Sequence, residues 1–391
     1  MDKKIVYLDN SATTKISEEA LTVYCEVSAK NFGNPSSLHS LGADAEKLLR
    51  GARSALQSSL MARDFRAVFT SSGSEANNLA IIGRALSKER YKRGAKIITT
   101  DSEHASVTAP LETLEKSGFK IAKISTKGGK IDLEQLKAEM TQDVILVSVM
   151  MVNNETGALY DVKKVAEIMK AYSPEAVLHV DATQSFMKVP FTAKSIMADM
   201  ITVSSHKIHG PKGVGALVAS ESLFTKKGLS PIVFGGGQEY GLRSGTENVP
   251  AIAAFGKAIE IESKKLIENE KKLRELRSYL IEKLSCTPAL SEISITNPES
   301  SAPHILNITL PKIKSETMLH YLSSENIFVS SGSACSSNSQ HKTSALVAYG
   351  RTSAEADCSI RISFSHDNEK EDADRLCEAL SAGLSRLARI R

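Results

Sequence analysis

Val144-Ile145-Leu146-Val147-Ser148-Val149-Met150 holds a single polar side chain, Ser148. Successive residues of a strand point to opposite faces, so this run is apolar on both. A strand with two apolar faces is covered on both sides, as in a parallel sheet packed between helices. Outward from it, Lys96–Thr99, Lys120–Ile124, Val177–Asp181, Met200–Ser204 and Val214–Ala219 read as further short strands. Amphipathic stretches near Glu75–Lys88, Ala105–Lys116, Asp132–Met140 and Asp161–Ala171 predict helices between them. Strands alternating with helices predict an α/β domain with a mostly parallel sheet.

The pattern changes after Pro250. A long charged helix is expected from Ala251 to about Leu284, with Lys264-Lys265, Lys271-Lys272 and Arg274 on a solvated face. Strands His304–Leu310 and Ser359–Ser365 and helices Ser315–Ser324 and Lys370–Leu387 follow, which reads as a smaller α+β domain.

The composition of the 391 residues is globular: 41% hydrophobic, 24% charged, 11 prolines. Disorder, collagen and coiled coil are excluded on that ground. With 49 basic and 45 acidic side chains the net charge is +4, too balanced for a nucleic-acid or membrane-surface partner. The five cysteines, Cys25, Cys286, Cys335, Cys358 and Cys377, form no Cys-x-x-Cys pair, so neither a disulfide framework nor a zinc site is expected. The N-terminal apolar stretch is too short for a signal peptide, and Val144–Val152 falls short of the ~20 residues that cross a bilayer. A cytoplasmic location follows as the expectation.

Polar clusters fall where predicted strands end, the place where open α/β sheets bind ligands. Ser71-Ser72-Gly73-Ser74-Glu75 opens a helix and could cup a phosphate, or Ser74 could be a plain N-cap. Asp181 ends a strand and could pair with a protonated ring nitrogen or a metal, or simply start a loop. Lys207, in Ser204-Ser205-His206-Lys207-Ile208-His209-Gly210, suits a Schiff-base amine. His206 and His209 match no zinc spacing. His104, after Glu103, is a lone histidine of structural or functional use. Cys335 sits in the serine-rich run Ser330–Gln340, which reads as a mobile loop and an exposed, reactive thiol. Arg361 lies inside an apolar strand and needs an anion there, either a substrate carboxylate or a structural Asp or Glu.

Three of these combine. A phosphate cup, an Asp at one strand end and a Lys at the next suit the phosphate, ring nitrogen and aldehyde of pyridoxal 5'-phosphate.

The chain resembles the NifS/IscS-type cysteine desulfurases, fold-type I pyridoxal-phosphate enzymes of the class V aminotransferase family. The likeness runs through Tyr7-Leu8-Asp9-Asn10-Ser11-Ala12-Thr13-Thr14, Phe32-Gly33-Asn34-Pro35-Ser36-Ser37, Glu103-His104 and Val152-Asn153-Asn154-Glu155-Thr156-Gly157. It continues in His179-Val180-Asp181-Ala182-Thr183-Gln184, Ser204-Ser205-His206-Lys207, Arg243-Ser244-Gly245-Thr246 and Ser330-Ser331-Gly332-Ser333-Ala334-Cys335. The resemblance implies the aspartate aminotransferase-like fold. It implies a large domain over 16–258 and a small one from 1–15 and 259–391, the latter carrying the cysteine loop at about 330–345.

The resemblance also implies roles. Lys207 resembles the lysine that carries the cofactor. Asp181 would pair with the ring nitrogen, Gln184 would bond the ring oxygen, and Asn154 would lie at that edge near the substrate. His104 would stack on the ring and shuttle protons. Gly73, Ser74, Ser204 and His206 would hold the phosphate, helped by Thr246 from the partner of a homodimer. Arg361 would bind the carboxylate of L-cysteine, and Cys335 would take the sulfur as a persulfide, leaving L-alanine. A sulfur-acceptor protein such as an iron–sulfur scaffold is the implied partner. No intrinsic metal is implied, although Cys335 could transiently ligate an iron–sulfur cluster.

Departures from the family are few. Ser72-Gly73-Ser74 stands where relatives often have Gly-Ala-Thr, Gln340-His341-Lys342-Thr343-Ser344 lacks an acidic-Pro pair, and the sequence stops at Arg391 without the longer tail of housekeeping members, so the NifS-like subtype is expected. Competing expectations are a class V aminotransferase, a cysteine or selenocysteine lyase, and a non-enzymatic sulfur carrier.

Overall fold

The computed structural model describes residues 4–87, 94–331 and 345–387. Its strands are β1 (Val6–Tyr7), β2 (Phe65–Thr70), β3 (Lys96–Thr100), β4 (Lys120–Ile124), β5 (Val144–Met150), β6 (Val177–Asp181), β7 (Met200–Ser204) and β8 (Gly215–Ser220). They continue as β9 (Ser294–Thr296), β10 (Ile305–Thr309), β11 (Ile327–Phe328), β12 (Ser330–Ser331) and β13 (Ser359–Ser363). The helices are α1 (Glu18–Lys30), α2 (Ser40–Ser59), α3 (Gly73–Ala85), α4 (Ala105–Lys116), α5 (Leu133–Glu139) and α6 (Val162–Tyr172). Then come α7 (Glu221–Thr225), α8 (Val249–Cys286), α9 (Ser315–Ser324), α10 (Ala345–Tyr349), α11 (Ser353–Asp357) and α12 (Lys370–Arg386).

A seven-stranded sheet runs in the order β2-β8-β7-β6-β5-β3-β4. β8 pairs antiparallel with both neighbours, and the remaining pairs are parallel. All seven residues of β5 are buried, as its two apolar faces require. One core cluster holds Ile98, Val147, Val149 and Leu178 against α2, α6 and the first half of α8. Another holds Ile97, Ile145 and Leu146 against α3 and α4. The sheet is therefore covered on both faces.

A four-stranded antiparallel sheet, β12-β13-β10-β9, builds a separate core with Val6, Leu8, Leu273, Leu280 and Leu376. The 38-residue α8 joins the two cores: Phe255 and Ile259 pack in the first, Leu276 and Leu284 in the second. At 1.5 Å per residue it is about 57 Å long. Asn248 caps it from the residue before Val249, so the helix starts two residues earlier than the sequence pattern placed it. Among the described residues no helix is long and apolar enough to cross a membrane.

Candidate active site

A cavity of about 310 Å³ opens at the carboxyl ends of β5, β6 and β7 and at the N-terminus of α3. Gly73, Ser74, His104, Asn154, Asp181, Gln184, Ser204, His206, Lys207 and Arg361 all line it. Strand ends deliver several of them. Asp181 closes β6, Ser204 closes β7, and a tight turn over Ser205–Lys207 follows directly.

The N-terminus of α3 forms one wall. Its cap is Ser72, not Ser74, with the hydroxyl accepting from the Glu75 N–H at 3.2 Å. The helix consequently begins at Gly73, which leaves Ser74 free of the capping duty. A Cβ on Gly73 would lie 3.2 Å from Thr183 Oγ1 and 3.3 Å from Ser204 Cβ, so the glycine keeps this wall uncrowded. The Ser204 hydroxyl is buried without a hydrogen-bond partner. An unsatisfied hydroxyl and the free N–H groups of a helix N-terminus make a donor set suited to a phosphate.

Asp181 is buried, and both its oxygens are engaged. Oδ1 accepts from the Thr183 N–H at 2.9 Å and Oδ2 from Asn77 Nδ2 at 2.8 Å. The Lys207 ammonium donates to the carbonyls of Ser11 and Ala12, the latter at 2.8 Å. Gln184 donates to the same Ser11 carbonyl at 2.9 Å. A carboxylate, an amine and a phosphate cup on one cavity fit the ring nitrogen, aldehyde and phosphate of pyridoxal phosphate.

His104 caps α4: its Nδ1 accepts from the Ser106 N–H at 3.1 Å and lies 2.8 Å from Ser106 Oγ. Loss of bulk water inside the cavity lowers its pKa. Burial, then the Lys207 and Lys212 charges, push His206 down to about 4, so it is neutral at pH 7. Burial raises Glu103 to about 8; its Oε1 accepts from Thr100 Oγ1 at 2.6 Å and from the Met150 N–H at 3.0 Å. His209 turns elsewhere, with its ring 4.4 Å from that of His366.

Arg361 is buried in β13. Its Nη2 donates to Asp9 Oδ1 at 2.8 Å and its Nη1 to the Asn154 carbonyl at 3.0 Å. The sequence left open whether its anion was structural. Asp9 is such an anion, and the guanidinium still lines the cavity. One predicted position falls outside it. Thr246 is exposed and lines a separate cleft with Ser71, Glu239 and Arg243. Cys335 lies outside the described residues. Asn77, Ser106, Ser11 and Asp9 carry site contacts that sequence reasoning did not single out. Asn77 and Ser106 look like ordinary helix polar residues, and Ser11 contributes its backbone.

The family model of class V aminotransferases matches residues 6–376. "Cysteine desulfurase IscS 1" of Archaeoglobus fulgidus is 38% identical over 97% of each chain. A solved "NIFS-LIKE PROTEIN" superposes with a TM-score of 0.89 at 34% identity, covering 98% of this chain and all of the other. The structure described as "SspA in complex with cysteine" gives a TM-score of 0.77 at 29% identity, over 92% of this chain and 98% of that one. The chain belongs to the class V aminotransferase family, within its NifS/IscS-type cysteine desulfurases.

Proposed function

We propose that this protein removes sulfur from L-cysteine and releases L-alanine, with pyridoxal phosphate as cofactor and Cys335 as first sulfur acceptor. The observation that carries this reading is convergence. The Lys207 amine, the Asp181 carboxylate, the unsatisfied Ser204 hydroxyl and the Arg361 guanidinium open onto one cavity.

Gly73, Ser74, Ser204 and His206 would hold the phosphate, Asp181 the ring nitrogen, and Lys207 the aldehyde. When bound, the cofactor supplies an electron sink for the carbon beside the substrate amine. Asn77 and Thr183 donate to the two Asp181 carboxylate oxygens and fix the orientation of the side chain. Gln184 and Asn154 border the ring-oxygen edge, and His104 exchanges protons with the substrate. Arg361, anchored by Asp9, receives the substrate carboxylate. The Cys335 thiolate forms an S–S bond to the substrate sulfur while the substrate C–S bond breaks. The C–S electron pair stays with carbon, which takes a proton and leaves as alanine.

Thr246 would reach the phosphate of the partner's site in a homodimer; it is exposed, as are Leu38, Phe32 and Phe234. Residues 16–258 and 1–15 with 259–391 would act as two domains, each with its own core cluster as support. A protein such as an iron–sulfur scaffold would take the persulfide sulfur. The free thiols of Cys25, Cys286, Cys358 and Cys377 suit a reducing cytoplasm.

The test is incubation of the cofactor-loaded protein with L-cysteine and a reductant, with alanine and sulfide quantified together. Equal yields are expected. A keto acid in place of alanine would show a transaminase, and a protein that never gains visible absorbance would show a carrier. Cys335→Ala is expected to stay yellow and form no persulfide; undiminished sulfur transfer by that variant sinks the assignment.

A further inference from the structure

His104 begins α4 as its N-cap, and an N-cap accepts a backbone N–H with its side chain. The donor is the Ser106 N–H, 3.1 Å from Nδ1. A backbone N–H can only donate, so Nδ1 carries no hydrogen in the neutral ring. The Ser106 hydroxyl lies 2.8 Å from the same nitrogen.

The direction of that second contact follows from the other end of the chain. The Asp181 carboxylate oxygen only accepts, so the Asn77 atom 2.8 Å away is the amide nitrogen. That nitrogen has two hydrogens. One goes to Asp181, and the other goes to Ser106 Oγ, also at 2.8 Å. Having accepted from Asn77, the Ser106 hydroxyl sends its own hydrogen to His104 Nδ1. The polarity is fixed from end to end.

We infer that Asn77 and Ser106 are positioning residues. They run a directed hydrogen-bond chain from Asp181 to His104 and hold the imidazole with its single proton on Nε2. The inference deepens the desulfurase reading and rests on it for its catalytic meaning. A ring held this way offers an N–H from Nε2. It takes up a second proton only at Nδ1, against two donors and at the cost of the helix cap. Hydrogen bonds to the neutral form oppose protonation, so the chain sets the pH at which His104 turns into an acid. The charged and titratable groups around it are Asp181 on β6, Lys207 and His206 after β7, Arg361 on β13 and Glu103 in its own loop. Desolvation by the protein around the ring opposes its charged form, as does Lys207, while Asp181 favours it.

The experiment is long-range proton–nitrogen NMR of the full, cofactor-loaded protein carrying 15N-histidine, with His104 assigned from the signal missing in His104→Gln. The expected wild-type ring is the Nε2–H tautomer at neutral pH. Ser106→Ala removes one donor to the neutral form, so its titration midpoint should rise by about one pH unit. Asn77→Ala should also raise it, and Ser106→Thr, which keeps the hydroxyl, should restore the wild-type value. A wild-type Nδ1–H tautomer, or equal midpoints in wild type and both alanine variants, overturns the proposal. The same spectra on cofactor-free protein need no turnover. A chain that makes no alanine yet shows these shifts would lose the desulfurase reading and keep this one; the reverse pattern would do the opposite.

Discussion

Arg361 Nη2 meets Asp9 Oδ1 at 2.8 Å, although the two residues stand 352 positions apart. The guanidinium is thereby held in one orientation at the cavity wall. Asp9→Asn keeps the shape and removes the charge. The KM for L-cysteine is expected to rise roughly tenfold with kcat changed less, because a charged hydrogen bond contributes about 1.5–3 kcal/mol. Unchanged KM would mean that the Asn154 carbonyl alone suffices to hold Arg361.

Ser204 predicts a separable effect on cofactor affinity. Its hydroxyl has no partner among the described residues, so Ser204→Ala should leave the melting temperature of the cofactor-free protein unchanged. Affinity for pyridoxal phosphate should fall roughly ten- to a hundredfold, from about 1.5–3 kcal/mol for one bond to a charged phosphate. Visible-absorbance titration measures it, and an unaltered dissociation constant would place the phosphate elsewhere.

Glu103 predicts a pH dependence of stability. Burial raises its carboxyl to about 8, so between the ordinary carboxylate range and about pH 8 the native state holds a proton that the unfolded chain has lost. Stability from this group is greatest in acid and falls as pH rises through that window. Glu103→Gln stays neutral and removes the slope. Its melting temperature should gain on wild type steadily from about pH 5 to about pH 8. A difference that stays constant across this range contradicts the shift.

Thr246 predicts a link between assembly and cofactor. Diluting the protein below its association midpoint should weaken pyridoxal phosphate binding, and Thr246→Ala should weaken binding in the dimer alone. A monomer with full affinity would remove Thr246 from the site.

Most of the central sheet was readable because β5, β6 and β7 are short, largely apolar and fully buried runs. What escaped was less periodic. The stretch 18–30 carries Thr22, Val23 and Val27, residues that weaken a helical signal. Helix α2 contains Gly42 and Gly51, which read as breaks. Gly42 is there for another reason: a Cβ would lie 2.2 Å from the Ser37 carbonyl oxygen. β2 opens with half-buried Phe65 and Arg66, so no alternation marks it. In the site, charged and aromatic groups announced themselves by type. Their holders did not, because Asp9, Ser11, Asn77 and Ser106 act through contacts that only folding creates. His104 and Ser106, two residues apart, look like a helix start, and that is also what they are.

The stitched N-terminus bears on timing. Ser11 bonds Ser363, Thr14 bonds His206, and the Leu8 carbonyl accepts from the Ser363 N–H. The ribosome delivers residues 9–14 first and their last partners nearly at the end. At about 5–20 residues per second, roughly twenty to seventy seconds separate the two. From the emergence of residue 207 to that of residue 361 the nascent chain holds Lys207 and the α3 N-terminus but lacks Arg361. Arg361 is the last of the cavity-lining residues to be synthesised, so the cavity wall is completed only when nearly the whole chain has emerged.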